Sequence, residues 1–332
     1  MLGVGILIGF VYYVGIGSLI VVLLSVNPAV ILVMVGIELL GFFFYATAWY
    51  ILIRATGHKM RFLTCQGVTF ASIFASLTMP SGIFLEAVRV LLGAKESGMN
   101  MGESTATVIL HRILYIVGFV ASTVLALVAL TLERRIGASL SFEIAVIPLG
   151  ATLGLAILFA LSLNPKLLQP LMDRALRILQ PIIRLVAKNN EVDFKSDRFL
   201  TDYHKGFRNL LSSGGRVAES FTASLGDWGC SVVILWIVLI SLGATISFWA
   251  VVVTMAFGKM IQLTPIAIPG MLGVYETAIT TSLSFFGTPV AVAASAALLS
   301  RIVTYWLDLP VTGVAAYHYG FKLFGEKRFQ LK

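Results

Sequence analysis

Two glutamates and two arginines sit in apolar surroundings at matching intervals. Glu86 lies in "PSGIFLEAVR" and Arg112 in "HRILYIVG"; Glu276 lies in "IPGMLGVYETA" and Arg301 in "SRIVTYWL". Helix breakers precede each acid: Pro80 and Gly82 before Glu86, and Pro269, Gly270 and Gly273 before Glu276. Glu86 follows Pro80 by six positions and Glu276 follows Pro269 by seven; Arg112 follows Glu86 by 26 and Arg301 follows Glu276 by 25. A guanidinium offers a planar fork of donors that suits a phosphate. A carboxylate suits an ammonium, so two of each sign would fit a zwitterionic or cationic headgroup. Ionisable groups inside apolar segments are costly and tend to pair. A competing expectation is therefore that the four residues only fasten two halves of the protein together.

Further polar groups surround this pattern. Glu38 is a candidate buried acid, expected to neutralise an arginine or to serve as a proton site. Asp308 stands seven residues after Arg301, on roughly the same face of an α-helix, and is expected to neutralise it or to serve as a proton site. Lys259 falls inside the second broken segment, and Tyr305 follows Arg301 by one turn. His111, beside Arg112, reads as a packed polar residue. The four histidines and two cysteines show no metal spacing or disulfide framework. No nucleotide loop, nucleophile–base pair or cofactor motif is visible, so neither an enzyme nor a cofactor is expected.

The elements that position these groups follow from composition. The 332-residue chain is 58% hydrophobic and 12% charged, with a mean hydropathy of +0.94. Apolar runs of about 20 residues, enough to cross a bilayer as helices, recur from end to end. Alternating patterns that would suggest a β-barrel are absent. The expected class is an all-α polytopic membrane protein. Its net charge of +8 sits mostly in loops, where topology and anionic lipid explain it better than nucleic acid. The run that starts at Met1 lacks a basic leader and a cleavage site and reads as a retained helix.

Apolar runs cover about 2–25, 29–53, 62–93, 106–132, 144–163, 228–243, 245–287 and 289–317. A polar linker, 164–227, divides a first membrane repeat (1–163) from the rest of a second (228–332). Within it "LLQPLMDRALRILQPIIRLVAK" has the periodicity of an amphipathic interfacial helix. Basic residues at 54–61, in the linker and after Gly320 place all three on the cytoplasmic side, with both termini inside; "ERR" at 133–135 mildly dissents. Runs 62–93 and 245–287 must then each begin and end on one side. The first, with 32 residues, is too short for two spans. Both are expected to be re-entrant helical hairpins, broken at 79–82 and 268–270 and entering from opposite faces. About six spanning helices complete an inverted repeat, a common transporter design with its site near the midplane.

The motifs "PSGIFLEAVR", "IPGMLGVYETA" and "LLSRIVTYWLDLPVTG" resemble those of the flippase-like membrane domain of bacterial lysylphosphatidylglycerol synthases, the multiple peptide resistance factors, which also occurs alone. The resemblance covers essentially the whole chain. The first motif departs from it, with Ser81, Phe84 and Leu85 where relatives often carry glycine. It implies a cell-membrane protein that moves a phospholipid, often an aminoacylated one, between leaflets. It also implies that the aminoacyltransferase domain of the full synthases is missing. Rival expectations are a small-solute or ion carrier of the same architecture, or a non-transporting scaffold for a lipid-modifying enzyme. Phospholipid is the expected partner, the basic linker and tail should meet an anionic membrane surface, and homo-oligomerisation stays open.

Overall fold

The computed structural model describes residues 27–79, 83–133, 196–263 and 268–325, with isolated positions between 150 and 170. The helices among them are α1 (Pro28–Ala55), α2 (Phe62–Thr78), α3 (Ile83–Ser97), α4 (Met101–Leu132), α5 (Ser196–Ser212), α6 (Gly214–Ser241), α7 (Phe248–Leu263), α8 (Val274–Phe285), α9 (Val290–Arg301) and α10 (Asp308–Gly325). A 3₁₀ turn, Pro269–Met271, precedes α8, and a π-helical segment, Ile302–Leu307, joins α9 to α10. No strand occurs among the described residues.

Local chemistry sets the boundaries. Asn27 accepts the Ala29 N–H at 2.9 Å and Pro28 opens α1, a favourable start because proline lacks only an N–H that would be unpaired there. Asn100 caps α4 by accepting the Glu103 N–H at 2.8 Å. Helix α2 stops at Thr78 because Met79 precedes a proline, which pushes it into extended backbone at φ −90°, ψ 151°. Among the described residues, four segments, Pro28–Ala55, Met101–Leu132, Gly214–Ser241 and Val290–Tyr319, are long and apolar enough to cross a membrane. Their outer faces leave Leu32, Leu132 and Val314 more than 70% exposed, as suits an integral membrane protein whose surround is lipid. Helices α2 and α3, with 17 and 15 residues, reach only about 25 and 22 Å at 1.5 Å per residue.

The same order of elements occurs twice. A long helix, two short helices parted by a break, and another long helix make α1–α4 and again α6–α10. The packing is reciprocal: α2 lies against α10, and α7 lies against α4, so each broken pair meets the other unit's last long helix. The first long helices, α1 and α6, pack on each other most extensively. They run antiparallel, with Gly41 beside Cys230, Phe44 beside Gly226, and the Ala48 carbonyl accepting from Ser220 Oγ at 2.8 Å. Helix α2 likewise runs antiparallel to α10: Gly67 faces Tyr319 and Phe74 faces Gly313, while Tyr305 Oη donates to the Leu77 carbonyl at 3.4 Å.

The ends sort accordingly. At one end Thr56 reaches Met99, and His58 lies 3.8 Å from Glu103, so α2 starts and α3 stops there. Gly102 and Glu103, on the first turn of α4, meet α5 at the same end. At the other end Ser247 Oγ donates to Glu133 at 3.0 Å, joining the start of α7 to the finish of α4. Since Tyr319 lies at the first end, Val290 lies at the second, and α8 stops five residues before it.

Two features differ from expectation. The polar stretch does not run to residue 227 as a linker: α6 begins at Gly214, and Ser220, Ala223 and Ser224 are buried, because small residues let α1 approach closely. The linker also supplies α5, whose Leu200, Tyr203, Phe207 and Leu210 are buried in a cluster with Leu52, Ala106 and Leu110. Run 2–25, most of run 144–163 and of the amphipathic stretch 167–188, the tip at Pro80 and Gly82, and the basic tail after 325 lie outside the described residues.

Candidate functional site

Each acid stands in the first turn of the helix that follows its break, Glu86 in α3 and Glu276 in α8. A carboxylate is favoured there by the unpaired N–H groups and the positive end of the helix dipole. The Glu276 carboxylate caps its own helix: Oε2 accepts the Gly273 N–H at 2.7 Å. Its Oε1 accepts from Arg301 Nε at 2.8 Å. Arg301 Nη2 donates to the Gly270 carbonyl, and the guanidinium lies 4.5 Å from the Tyr305 ring centre and 5.0 Å from that of Tyr275. Glu276 and Arg301 are 1% and 3% exposed. Gly270 takes φ +59°, and a Cβ there would strike the Tyr305 ring. Pro269 opens this turn, and Gly273 at φ +81° begins α8.

The first pair is built differently. Arg112 Nη1 lies 3.4 Å from Glu86 Oε1, with side chains 29% and 24% exposed. Glu86 Oε2 also accepts from Arg89 Nη1 at 3.3 Å. Arg89 is fully buried. It donates to Tyr45 Oη at 3.1 Å and to His111 Nδ1 at 2.8 Å, and lies 4.5 Å from the Trp49 ring. His111 therefore accepts through Nδ1 and carries its ring proton on Nε2. Sequence reasoning missed Arg89, although its place one turn after Glu86 in an apolar helix was a readable signal.

Between the two units lies a cavity of about 230 Å³. The charged groups on its wall are Glu38, Arg112, Asp227, Lys259, Arg301 and Asp308, three acids and three bases. Glu38, Arg112, Asp227 and the Arg301–Asp308 stretch come from the central turns of all four membrane-length segments. Lys259 comes from α7, and Met79 and Gly270 bring the two breaks to the wall. Glu86 and Glu276 do not line it; each stands behind its arginine. Asp308 faces Glu38, within hydrogen-bonding reach, while Glu276 occupies Arg301. The π-helical segment between Arg301 and Asp308 accounts for this, because its wider turn breaks the seven-residue coincidence of an α-helix. Asp227 was also missed, because it stood at the edge of the presumed linker.

The chain matches the family model described as the lysylphosphatidylglycerol synthase TM region over residues 1–311. It is 23% identical over 319 residues to a UPF0104 membrane protein of Pyrococcus horikoshii, covering 95% of this chain and 94% of the relative. A UPF0104 membrane protein of Methanothermobacter thermautotrophicus is 21% identical over 321 residues, covering 95% and 90%. Another, of Methanocaldococcus jannaschii, is 22% identical over 309 residues, covering 89% and 86%. A match that runs through both broken segments, both ion pairs and every charged residue of the cavity wall means that this chain belongs to the family of the lysylphosphatidylglycerol synthase transmembrane region.

Proposed function

We propose that the protein moves a phospholipid between leaflets, carrying its headgroup through the charged cavity while the acyl chains stay in lipid. The observation that carries this reading is the position of that cavity. Three acids and two arginines converge at the central turns of the four membrane-length segments, joined by Lys259 of α7, at a depth where charges are costly and mark a functional site by default. The antiparallel α1 and α6, with the reciprocal packing of α2 on α10 and α7 on α4, support an inverted repeat with two opposed re-entrant hairpins. That architecture suits alternating access around a fixed midplane site. The two ion pairs then have different roles. The dry Glu276–Arg301 pair fastens the second hairpin to the helix after it. The partly open Arg112 presents donors to a phosphate. A scaffold would pair its charges with opposite ones, whereas Asp308 sets its carboxyl against another acid, Glu38, at the cavity wall.

The test uses liposomes with a fluorescent phospholipid in both leaflets and a membrane-impermeant quencher outside. Wild-type protein should bring the inner pool into reach faster than empty vesicles do. Arg112→Lys, which keeps the charge but loses the fork, should be slower at equal folded protein. A wild type that matches empty vesicles for anionic, zwitterionic and aminoacylated lipids alike ends the flippase reading.

A further inference from the structure

Glu38 on α1 and Asp308 at the start of α10 meet across the cavity. Their carboxyls stand within hydrogen-bonding reach of each other, and two carboxyls can hydrogen-bond only if one of them carries a proton. Asp308 is 4% exposed and lines the cavity, and no N–H or O–H of the described residues donates to its Oδ1. A polar atom so placed is costly to leave unsatisfied and calls for a proton, a water or a cation from the cavity.

The charged groups around the pair come from every neighbouring element. Lys259 faces it from α7, Asp227 from α6 and Arg301 from the end of α9, with Arg112 of α4 on the same wall. Arg301 is committed to Glu276 and to the Gly270 carbonyl, and Arg112 to Glu86. Lys259 is left as the ammonium shared by Glu38, Asp227 and Asp308. It belongs to the second broken pair, so any movement of that pair changes how strongly the two carboxyls are held as anions.

We propose that Glu38 and Asp308 form the proton site of the transport cycle, holding one proton between two carboxyls from different repeats. The proposal rests on the transport reading above and adds its energy source. One proton enters from the water on one side and makes an O–H bond at the pair. It leaves to the other side when Lys259 approaches and a carboxylate replaces the acid. Nothing else is bonded or reduced in the exchange.

Two measurements on the whole protein separate this from the transport reading. The first follows the protonated-carboxyl C=O stretch by infrared difference spectroscopy in lipid nanodiscs. At neutral pH the wild type should show a band that shifts in deuterium oxide and fades as pH rises. Glu38→Gln and Asp308→Asn should each remove it, since either change leaves one carboxylate with no acid to share. Lys259→Gln keeps both carboxyls and should hold the band to higher pH, which guards against loss of the signal through misfolding. A missing wild-type band, or one untouched by both single changes, overturns the shared proton. The second measurement is the quencher assay under a gradient of one pH unit, a tenfold ratio of protons. Wild-type rates for opposite gradient directions should differ severalfold, and Asp308→Asn should move lipid equally in both. A wild type that flips lipid regardless of gradient direction overturns the coupling. A wild type that moves no lipid under either gradient overturns the transport reading and the coupling with it, while the band still decides whether the proton is shared.

Discussion

Glu86→Gln and Arg112→Gln remove opposite ends of one ion pair, but Arg89 makes their consequences unequal. Without Arg112, Glu86 keeps Arg89 at 3.3 Å. The loss is then that of a partly exposed pair, about 1 kcal/mol or less. Without Glu86, Arg89 keeps Tyr45, His111 and the Trp49 ring but loses its anion while fully buried. An uncompensated buried charge of this kind costs roughly 3–5 kcal/mol. The difference is a few kcal/mol, so the folded-to-unfolded ratio of Glu86→Gln should lie at least tenfold below that of Arg112→Gln. Reversible unfolding in mixed micelles, followed by tryptophan fluorescence, reads this directly. The double change Glu86→Gln with Arg89→Met should recover much of the single loss, because it removes the stranded charge with its partner. Equal losses for the two single variants, or a larger one for Arg112→Gln, would refute the assignment of Arg89 as the principal partner of Glu86.

Glu276→Gln should cost about 3–5 kcal/mol, because it leaves the 3%-exposed Arg301 unpaired, and adding Arg301→Met should restore part of it in the same unfolding assay. Gly270→Ala should lower the unfolding midpoint clearly, since the left-handed backbone and the Tyr305 ring both oppose a Cβ. Gly102→Ala should loosen α5, because a Cβ there would stand 2.5 Å from the Phe199 carbonyl. Limited proteolysis should then cut the 196–212 segment faster, with little change in the rest of the protein.

The broken segments and their ion pairs were legible because they rest on rules that act locally. Proline forces Met79 out of the helix wherever it occurs, and an acid in the first turn after a break is favoured by the helix end itself. The pairing of each acid with an arginine about 25 residues later follows from one short helix, one turn and part of another helix. Residues whose roles depend on neighbours far apart in sequence were not legible. Nothing near Glu38 signals Asp308, which is 270 residues away. Asp227 stood beside Gly226 and Gly229 in a stretch that read as linker, whereas Gly226 packs against Phe44 of α1 and makes that helix contact close.

The fate of Asp308 shows most clearly where wheel reasoning stops. Seven residues are two turns of an α-helix, so Asp308 belonged on the Arg301 face and was expected to neutralise it or to serve as a proton site. That inference held the helix to one period across a stretch that does not keep it. From Ile302 to Leu307 the chain makes π-type turns, which close five residues back instead of four and are frequent at functional sites. Arg301 thus meets an acid from α8 and Asp308 meets one from α1. The first meeting is a closed, dry pair that secures a hairpin. The second sets two carboxyls against each other at the cavity wall. A helix that only needed to be stable would keep Asp308 on the arginine. The π segment gives up that pairing and directs the acid to the cavity, where the proposed proton exchange would take place.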